Sequence, residues 1–397
     1  MRAMDQSSVP FTFDVPTRTL FGSGCLNSLH KENLPGRKAL VVISNGTSTR
    51  KHGYLDRTLA ELSKAGAEAV VFDRVEPNPL KDTVMAGGAV AREHGCDFIV
   101  ALGGGSCMDA AKAIALVATN DGDLWDYVLF GTGKRKSPAH APLPLVAITT
   151  TAGTGSETDA GGVITNPETK EKTAVFGYGL FPKLAVVDPE LMCSVPPKFT
   201  AFQGFDALFH STEGYIASTR NLVSEMFSIT AIENVGRSLA ATVRDGADLP
   251  NRERMAFANW LSGVQMVVGC CTSEHSLEHA LSAYHQELPH GAGLIMISLA
   301  YYTHFIRRGC CPERFVRMAQ ALGKQDAAQP MDFITALHDL QQACGVADLR
   351  MSDYGITPDE FPSMAQNAMD AMGFLFVNDP APLSLEDCVQ IYRDSYR

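Results

Sequence analysis

The sequence has little positive charge and no long apolar run. Its 397 residues include 33 Lys or Arg and 44 Asp or Glu, which gives a net charge of −11. There is no basic stripe or basic tail, so the composition argues against nucleic-acid binding. The longest apolar stretch, residues 293–306, contains Ser298, Thr303 and His304. It is too short and too polar to span a bilayer, so we expect a buried core helix and no membrane association.

The cysteines lack the spacing of a disulfide framework. The chain has 10 cysteines, none in a Cys-x-x-Cys pair, and two adjacent pairs at 270–271 and 310–311. Neighbouring cysteines rarely bridge to each other, so we expect reduced, mostly buried thiols. The polar start of the chain, residues 1–9, lacks the apolar core of a signal peptide. Both features predict a cytoplasmic protein.

The composition is otherwise that of a globular protein, 45% hydrophobic and 19% charged, with enough length for two cores. In the first half, short apolar runs alternate with helical patterns. The predicted strands are 38–44, 69–72, 98–102, 145–148 and 184–187, and the predicted helices are 55–65 and 81–94, each followed by a glycine. Continuous apolar strands separated by helices predict a parallel, Rossmann-like α/β sheet buried on both faces.

The pattern changes after Asp188-Pro189. Strand-like runs nearly vanish there, and helical periodicity continues to the end of the chain, interrupted by prolines. We therefore predict an α/β dinucleotide-binding domain over residues 1–193 and an all-helical domain over residues 194–397. A ligand site is expected in the cleft between two such domains.

A glycine-rich turn follows the predicted strand at 98–102. The run from Gly103 to Lys112 passes from a strand through Gly103-Gly104-Gly105 into a helix. Glycines let the backbone approach a phosphate, and a helix N-terminus offers it free N–H groups. The run is not the G-x-G-x-x-G fingerprint. A tight turn in which Ser106 caps the helix would explain the same residues.

A second loop of this kind follows the strand at 145–148. The segment from Thr149 to Glu157 is dense in hydroxyls and glycines, which suit phosphate or ribose contacts. A loop capped by Ser and Thr is the simpler explanation. Two such loops at the ends of separate strands favour a dinucleotide, because α/β sheets bind ligands outside their carboxyl ends.

A carboxylate and several histidines in the second half indicate a metal. Asp206 and His210 lie four residues apart, on one face of a helix. His275, His279 and His290 follow downstream. One Asp and up to three His suit a divalent transition metal. Solvated helix faces and a core histidine would account for each pair separately, but less readily for all of them together.

The same segment permits a different function. Residues 275–279 read H-x-x-E-H, the inverted zinc-protease pattern, in which His275 and His279 would bind zinc and Glu278 would be the base. This reading leaves the two phosphate loops and the Asp206/His210 pair unexplained. A non-enzymatic metal-binding protein would not need the phosphate loops either.

Taken in order, these motifs resemble the iron-containing (group III) alcohol dehydrogenases. The resemblance extends from Leu20 to Leu299. It rests on Phe21–Gly24, Glu76–Pro79, Gly103–Lys112, Thr149–Glu157, Asp188-Pro189, Asp206–His210 with its extension Glu213–Tyr215, and His275–Gly291. It implies an N-terminal dinucleotide domain, a helical C-terminal domain, and a metal in the cleft between them.

The resemblance also implies roles for individual residues. The metal ligands would be Asp206, His210, His275 and His290, with Fe²⁺ the usual metal and Zn²⁺ in some members. His279 would lie near the nicotinamide and the substrate. The implied cofactor contacts are Asn78, Gly104, Gly105, Ser106, Asp109, Thr149, Thr150, Thr154 and Lys172. A homodimer is implied in the same way.

Two departures from the family pattern concern the histidine segment. The gap from His279 to His290 is one residue longer than in many members, so the turn before His290 should differ. Glu278 stands where a small or apolar residue is more common. Its charge could alter substrate preference or the basicity of His279.

A third departure concerns the choice between NAD(H) and NADP(H). Many NAD-preferring members carry an acid after the first strand, whereas residues 44–50 contain none here. Ser48 and Arg50 could accept a 2′-phosphate, so both cofactors stay open.

The expected activity is hydride transfer between a nicotinamide and a small primary alcohol or aldehyde, with the metal as Lewis acid. His279 is the expected proton relay, with a steric wall against the nicotinamide as its competing role. A zinc-dependent polyol dehydrogenase and a dehydroquinate-synthase-like lyase share the two-domain plan and are the alternatives. Substrate-lining positions are expected near Phe257, Cys270, Phe374 and Phe376.

Overall fold

The computed structural model describes residues 9–397, so most of the polar start of the chain lies outside the described residues. Its N-terminal half contains eight strands: β1 (Arg18–Phe21), β2 (Lys38–Ser44), β3 (Glu68–Val75), β4 (Phe98–Gly103), β5 (Leu145–Thr149), β6 (Gly161–Asn166), β7 (Glu171–Phe176) and β8 (Leu184–Val187). Four helices lie between them: α1 (Ser48–Lys51), α2 (Tyr54–Lys64), α3 (Lys81–Glu93) and α4 (Gly105–Thr119).

Six of the strands form one sheet in the order β1-β8-β5-β4-β2-β3, and every pairing in it is parallel. Neighbouring residues of a strand enter opposite cores, as Val41 and Val42 do on β2. All of β4 and β5 is buried, which explains their unbroken apolar sequence. The predicted parallel α/β sheet is therefore confirmed.

Three strands were not anticipated. β1 is an edge strand with both ends exposed, so its sequence carries no continuous apolar signal. β6 and β7 form a separate antiparallel hairpin, in which Gly161 pairs with Phe176 and Asn166 with Glu171. The two glycines that open β6 weaken its strand pattern.

The C-terminal half is helical, and the described residues beyond 193 contain no strand. Its helices are α5 (Pro197–Ile216), α6 (Leu222–Arg244), α7 (Leu249–Gly269), α8 (Ser273–Tyr284), α9 (His290–Arg307), α10 (Pro312–Ala321), α11 (Asp332–Ala343), α12 (Phe361–Met372) and α13 (Leu385–Ser395). The apolar stretch at 293–306 lies inside α9, and most of it is buried, as expected. We propose a domain boundary at residues 193–194, just before α5.

Two glycines permit close contacts, one between the two halves of the chain and one within the helical half. A Cβ on Gly263 of α7 would lie 2.3 Å from the carbonyl oxygen of Gly155, so the loop after β5 packs directly on that helix. A Cβ on Gly291 would lie 2.3 Å from the carbonyl oxygen of Phe202, so the start of α9 contacts α5 equally closely. Only glycine permits these contacts. Among residues 9–397, no helix is both long and apolar enough to cross a membrane.

Candidate active site

The predicted metal ligands converge from three helices. Asp206 and His210 lie one turn apart on α5, His275 lies near the start of α8, and His290 is the first residue of α9. Asp206 Oδ1 is 3.5 Å from Nε2 of His275 and 3.5 Å from Nε2 of His290. It also lies 3.5 Å from Nδ1 of His210. The tertiary fold thus gathers the three histidines around one carboxylate oxygen of Asp206.

Each of the three histidines is held through Nδ1. Nδ1 of His210 lies 3.3 Å from the carbonyl oxygen of Gly153, an acceptor, so this nitrogen carries the proton. Nδ1 of His275 bonds to Glu213, and Nδ1 of His290 bonds to Glu278. Bonds of this kind leave Nε2 with its lone pair and are typical of metal-binding histidines.

Two buried atoms of the cluster lack hydrogen-bond partners among the described residues, Asp206 Oδ1 and His275 Nε2. Buried polar atoms without partners are rare, and a carboxylate oxygen facing an imidazole nitrogen suits a cation. Despite burial, the neighbouring histidines hold the pKa of Asp206 well below its usual range. Burial lowers the pKa of His210 to about 3, so that imidazole is neutral and able to ligate. The residues therefore fit a divalent metal.

Possible ligand atoms form three overlapping groups, one of which contains Glu278, His279 and His290. Those of Asp206, His275 and His290 lie within 4.8 Å of one another, and so do those of His210, Cys271 and His275. The Cys271 thiol was not anticipated, because nothing in a lone cysteine's sequence context indicates proximity to histidines. The rings of His210 and His275 stack with centroids 4.2 Å apart.

Two buried glutamates support the histidines. Glu213 lies on the same face of α5 as Asp206 and His210, a spacing of i, i+4 and i+7 that is visible in the sequence. It also accepts bonds from the backbone N–H and the hydroxyl of Thr272, at 2.8 and 3.0 Å. Despite burial, Glu213 and Asp206 raise the pKa of His275 to about 10.

The contacts of Glu278 do not fit the role of hydrolytic base that the H-x-x-E-H pattern would give it. Its carboxylate bonds to Nδ1 of His290 and lies 3.6 Å from Nζ of Lys172. Despite burial, His290 and Lys172 keep the pKa of Glu278 below its usual value, so the side chain is ionised. It supports a histidine instead of facing a substrate as a hydrolytic base.

A cavity of about 400 Å³ adjoins this cluster. Its walls include six of the nine predicted cofactor residues: Asn78, Gly105, Ser106, Asp109, Thr154 and Lys172. Its inner end is lined by His210, His275, His279 and His290. One continuous space therefore reaches from the phosphate-type loops to the candidate metal ligands.

The two loops form a cradle without side-chain bulk. A Cβ on Gly105 would lie 2.4 Å from Thr154, and one on Gly104 would lie 2.9 Å from Thr151. Gly104 is the N-cap of α4, so the interpretation of Ser106 as the cap was wrong. Ser106 lies in the first helical turn and lines the cavity. The N-terminus of α4, whose residues Gly105 and Ser106 line the cavity, suits a pyrophosphate.

The other predicted cofactor residues connect these loops. The backbone N–H of Thr150 donates to the carbonyl of Gly103 at 2.9 Å, and the Thr149 hydroxyl donates to the carbonyl of Thr151 at 2.9 Å. Asp109 accepts from the Ser156 hydroxyl at 2.7 Å, and burial raises its pKa to about 6. Thr149, Thr150 and Gly104 are not among the cavity-lining residues, and their contact with a cofactor stays a prediction.

His279 projects into the cavity beside the metal cluster. It is buried, and its Nδ1 contacts the sulfur of Met372. Burial, with Lys172 and His290 adding to the effect, holds its pKa well below the usual value, so the imidazole is neutral. Its placement suits both a proton relay and a steric wall, and its role stays a prediction.

The apolar wall of the cavity differs in part from expectation. Cys270 and Phe374 line it, whereas Phe257 stacks on Trp260 elsewhere and Phe376 packs on the helical core. Phe176, the last residue of β7, was missed because the hairpin was missed. It meets Phe374 edge-on, with ring centroids 5.9 Å apart.

The loop at residues 44–50, in which Ser48 and Arg50 could accept a 2′-phosphate, lies next to Asp73 of β3. Arg50 Nη2 donates to Asp73 Oδ2 of β3 at 2.7 Å, and both side chains are about half exposed. Residues 44–50 contain no acid, but the fold brings one from the adjacent strand to this loop. This arrangement is compatible with both NAD(H) and NADP(H).

Known proteins resemble this one over nearly the whole chain. The model of the iron-containing alcohol dehydrogenases matches residues 16–189, and that of the Fe-containing alcohol dehydrogenase family, C-terminal, matches residues 200–396. The 1,3-propanediol dehydrogenase of Citrobacter freundii is 34% identical, over 97% of this chain and 99% of its own. Alcohol dehydrogenase 4 of Saccharomyces cerevisiae is 32% identical, over 97% and 98%.

Solved structures show the same relationship. The archaeal halo-thermophilic alcohol dehydrogenase from a Red Sea brine pool superposes with a TM-score of 0.92 at 34% identity, over 98% of this chain and 99% of that one. A 1,3-propanediol oxidoreductase superposes with a TM-score of 0.88 at 32% identity, over 98% and 100%. The chain belongs to the iron-containing alcohol dehydrogenase family.

Proposed function

We propose that this protein is a metal-dependent, NAD(P)-linked dehydrogenase that interconverts a small primary alcohol and its aldehyde. The observation that carries the proposal is the single cavity that joins the glycine and threonine loops to the Asp/His cluster. A nicotinamide cofactor and a divalent metal, when bound, would supply the hydride chemistry and the Lewis acidity respectively. Relatives named as an NAD-dependent methanol dehydrogenase and a 1,3-propanediol dehydrogenase support the activity.

The proposed metal ligands are Asp206, His210, His275 and His290. One carboxylate removes one unit of the charge of a divalent ion, and the three imidazoles remove none once the metal has displaced the second proton that His275 carries in its absence. That donor set keeps the ion electrophilic. Fe²⁺ is the metal expected of the family, and Zn²⁺ is compatible with the same nitrogen and oxygen ligands.

The proposed cofactor site begins at the N-terminus of α4. Gly104, Gly105 and Ser106 would hold the pyrophosphate through backbone N–H groups, with Thr149, Thr150 and Thr154 bordering it. Asp109 would hold the two loops together by accepting the hydrogen bond from Ser156. Asn78 and Lys172 line the same cavity, and Lys172 lies 3.6 Å from the glutamate that bonds to His290, so these two residues would orient the nicotinamide end of the cofactor.

We propose that His279 transfers the proton of the alcohol. It borders the same cavity as the candidate ligands, and its neutral imidazole can accept a hydrogen bond from a substrate hydroxyl. Replacement by alanine should lower turnover while the metal content stays near the wild-type value. If the rate is unchanged at every pH, the side chain acts only as a wall.

The substrate should be uncharged, with an apolar tail. The apolar side chains that line the cavity include Phe176, Phe181, Met266, Phe374 and Leu375. Hydroxyl groups of a polyol would face these side chains without hydrogen-bond partners, at a cost of about 1–3 kcal/mol for each buried group. This surface therefore favours a simple alcohol over a polyol.

The decisive experiment removes and restores the metal. The purified enzyme is depleted with a chelator, its metal content is measured, and Fe²⁺, Zn²⁺ or Mg²⁺ is added back. Oxidation of short alcohols with NAD⁺ and NADP⁺ is followed by nicotinamide absorbance. We expect loss of activity and recovery with Fe²⁺ or Zn²⁺. Full activity in a verified metal-free sample, or no turnover with either cofactor, would contradict the proposal.

We also propose a cytoplasmic homodimer, on the resemblance to the family alone. Light scattering coupled to size exclusion measures the molar mass directly. A mass near twice 42.7 kDa would agree with a dimer, and a mass near 42.7 kDa would exclude it.

A further inference from the structure

Two sets of contacts hold His290, one on its imidazole and one on the backbone before it. Both involve residues that are predicted to contact the cofactor. Its imidazole bonds through Nδ1 to Glu278, a fully buried carboxylate. The other oxygen of Glu278 is buried without a hydrogen-bond partner among the described residues. The orientation of His290 therefore depends on where Glu278 is held.

Lys172 is the cation nearest to Glu278, at 3.6 Å from Nζ to Oε2. Lys172 also donates to Asn78 Oδ1 at 3.0 Å and to Ser282 Oγ at 2.9 Å. Both Lys172 and Asn78 line the cavity, and both are among the predicted cofactor contacts. A ligand that contacts Lys172 thus acts on the group that positions Glu278.

The backbone before His290 depends on the same residues. Asn78 Nδ2 donates to the carbonyls of Gln286 and Leu288, at 3.0 and 3.3 Å. In return, Gln286 Nε2 donates to the carbonyl of Asn78 at 2.8 Å. The lengthened turn before His290 is therefore tied to a residue that itself accepts from Lys172.

His275 provides a contrast within the same site. Its supporting carboxylate, Glu213, takes its further hydrogen bonds from Thr272, which precedes α8. Those contacts stay inside the helical half. Of the two glutamate-supported histidines, His290 is the one whose carboxylate pairs with a residue of the cofactor side.

We propose that Glu278 is a positioning residue that couples metal binding at His290 to cofactor binding at Lys172. The inference rests on the proposed function, which places a metal at His290 and a cofactor at Lys172. A cofactor that favours this position of Lys172 also favours these positions of Glu278 and His290, so the metal that binds second meets ligands already arranged for it. Each ligand then binds more tightly when the other is present, by the same factor.

The test measures binding instead of turnover. Zn²⁺ affinity of the metal-depleted protein is determined by competition with a chromogenic chelator, with and without saturating NADH or NADPH, whichever binds more tightly. Cofactor affinity is determined by fluorescence in the metal-free and Zn²⁺-loaded protein. For the wild type we expect the cofactor to tighten Zn²⁺ binding by roughly fivefold or more, and Zn²⁺ to tighten cofactor binding by the same factor.

Three variants locate the coupling. Glu278→Ala should weaken Zn²⁺ binding on the order of 10- to 100-fold and bring the coupling factor close to one. Glu278→Gln can still accept from Nδ1 of His290, so it should retain part of both. Lys172→Met should abolish the coupling with a smaller effect on Zn²⁺ affinity in the absence of cofactor.

Lys170→Met is the matched control. Lys170 is exposed, lies two residues from Lys172 and packs its ammonium over the ring of Tyr284, 4.7 Å from the centroid. Its removal should leave both affinities and the coupling factor unchanged.

A wild-type coupling factor of one, with tight binding of both ligands, would overturn this inference and leave the proposed function standing. Wild-type coupling that persists in Glu278→Gln, Glu278→Ala and Lys172→Met would also overturn it. If the wild-type protein binds neither Zn²⁺ nor a nicotinamide cofactor, the proposed function fails and the coupling fails with it.

Discussion

Replacing Lys112 with methionine should destabilise the protein by about 3–5 kcal/mol. Lys112 is completely buried on α4, beneath the two cofactor loops. Its three ammonium protons have three acceptors: Ser156 Oγ at 2.8 Å, Asp159 Oδ1 at 2.7 Å and the carbonyl oxygen of Gly161 at 2.7 Å. One side chain thus joins α4 to the loop after β5 and to the start of β6.

The magnitude follows from what the substitution leaves behind. Methionine fills much of the space of the lysine stem but donates no hydrogen bond. Each buried acceptor that loses its donor costs about 1–3 kcal/mol. In addition, Asp159 and the nearby Asp109 lose the positive charge of Lys112, which lowers the pKa of Asp109. Because one of the acceptors, Ser156, belongs to the proposed cofactor loop, cofactor affinity should fall as well.

The loss should depend on pH. Burial raises the pKa of Asp109 to about 6, and Lys112 acts in the opposite direction. Without Lys112 this pKa rises further, so the folded state holds a proton that the unfolded state has released. The part of the penalty that comes from Asp109 is therefore small below about pH 6, where this carboxyl is protonated in both folded proteins, and grows as the pH rises above 6, whereas the cost of the lost hydrogen bonds remains.

Unfolding by urea at about pH 5 and pH 7.5, with cofactor titration, measures both effects. Lys183→Met, at an exposed position, is the control and should match the wild type. Lys112→Met combined with Asp159→Asn should recover part of the loss, because it removes an unpaired carboxylate. A Lys112→Met protein with wild-type unfolding midpoint and cofactor affinity would refute the reasoning.

Three further predictions follow from particular contacts. Gly263→Ala should cost about 1–3 kcal/mol and weaken cofactor binding, because its Cβ would lie 2.3 Å from the Gly155 carbonyl oxygen; Gly177→Ala, with room for a Cβ, should be neutral in both assays. Glu61→Gln should cost about 1 kcal/mol at neutral pH. Despite burial, Lys64 and His30 lower the pKa of Glu61. The difference in unfolding free energy between wild type and variant should therefore vanish as the pH falls below the usual carboxylate range. A difference that persists in acid would exclude the ion pairs as its cause. Phe374→Ala, which removes a ring that stacks 4.1 Å from Phe130, should lower kcat/KM for butanol more than for ethanol; equal losses would place the ring outside the substrate path.

The strands and helices with strong local patterns could be predicted from the sequence. The segment at 38–44 became β2 with the same bounds, because five consecutive buried residues leave an unbroken apolar run. The helix predicted at 81–94 is α3, which ends at Glu93. β1 and the hairpin of β6 and β7 were missed, since exposed ends and paired glycines weaken a periodic signal.

The sequence by itself determined the residue types of the site and the spacing that places Asp206 and His210 on one helical face, because those relationships act within a single turn. It also indicated the family, through motifs whose order is preserved. Only the tertiary structure decided that Glu278 supports His290 and pairs with Lys172, and that Cys271 approaches His210. Apart from Cys271, which lies between α7 and α8, these residues come from α8, α9, β7 and α5, and the direction in which each side chain points depends on how those elements rotate and cross.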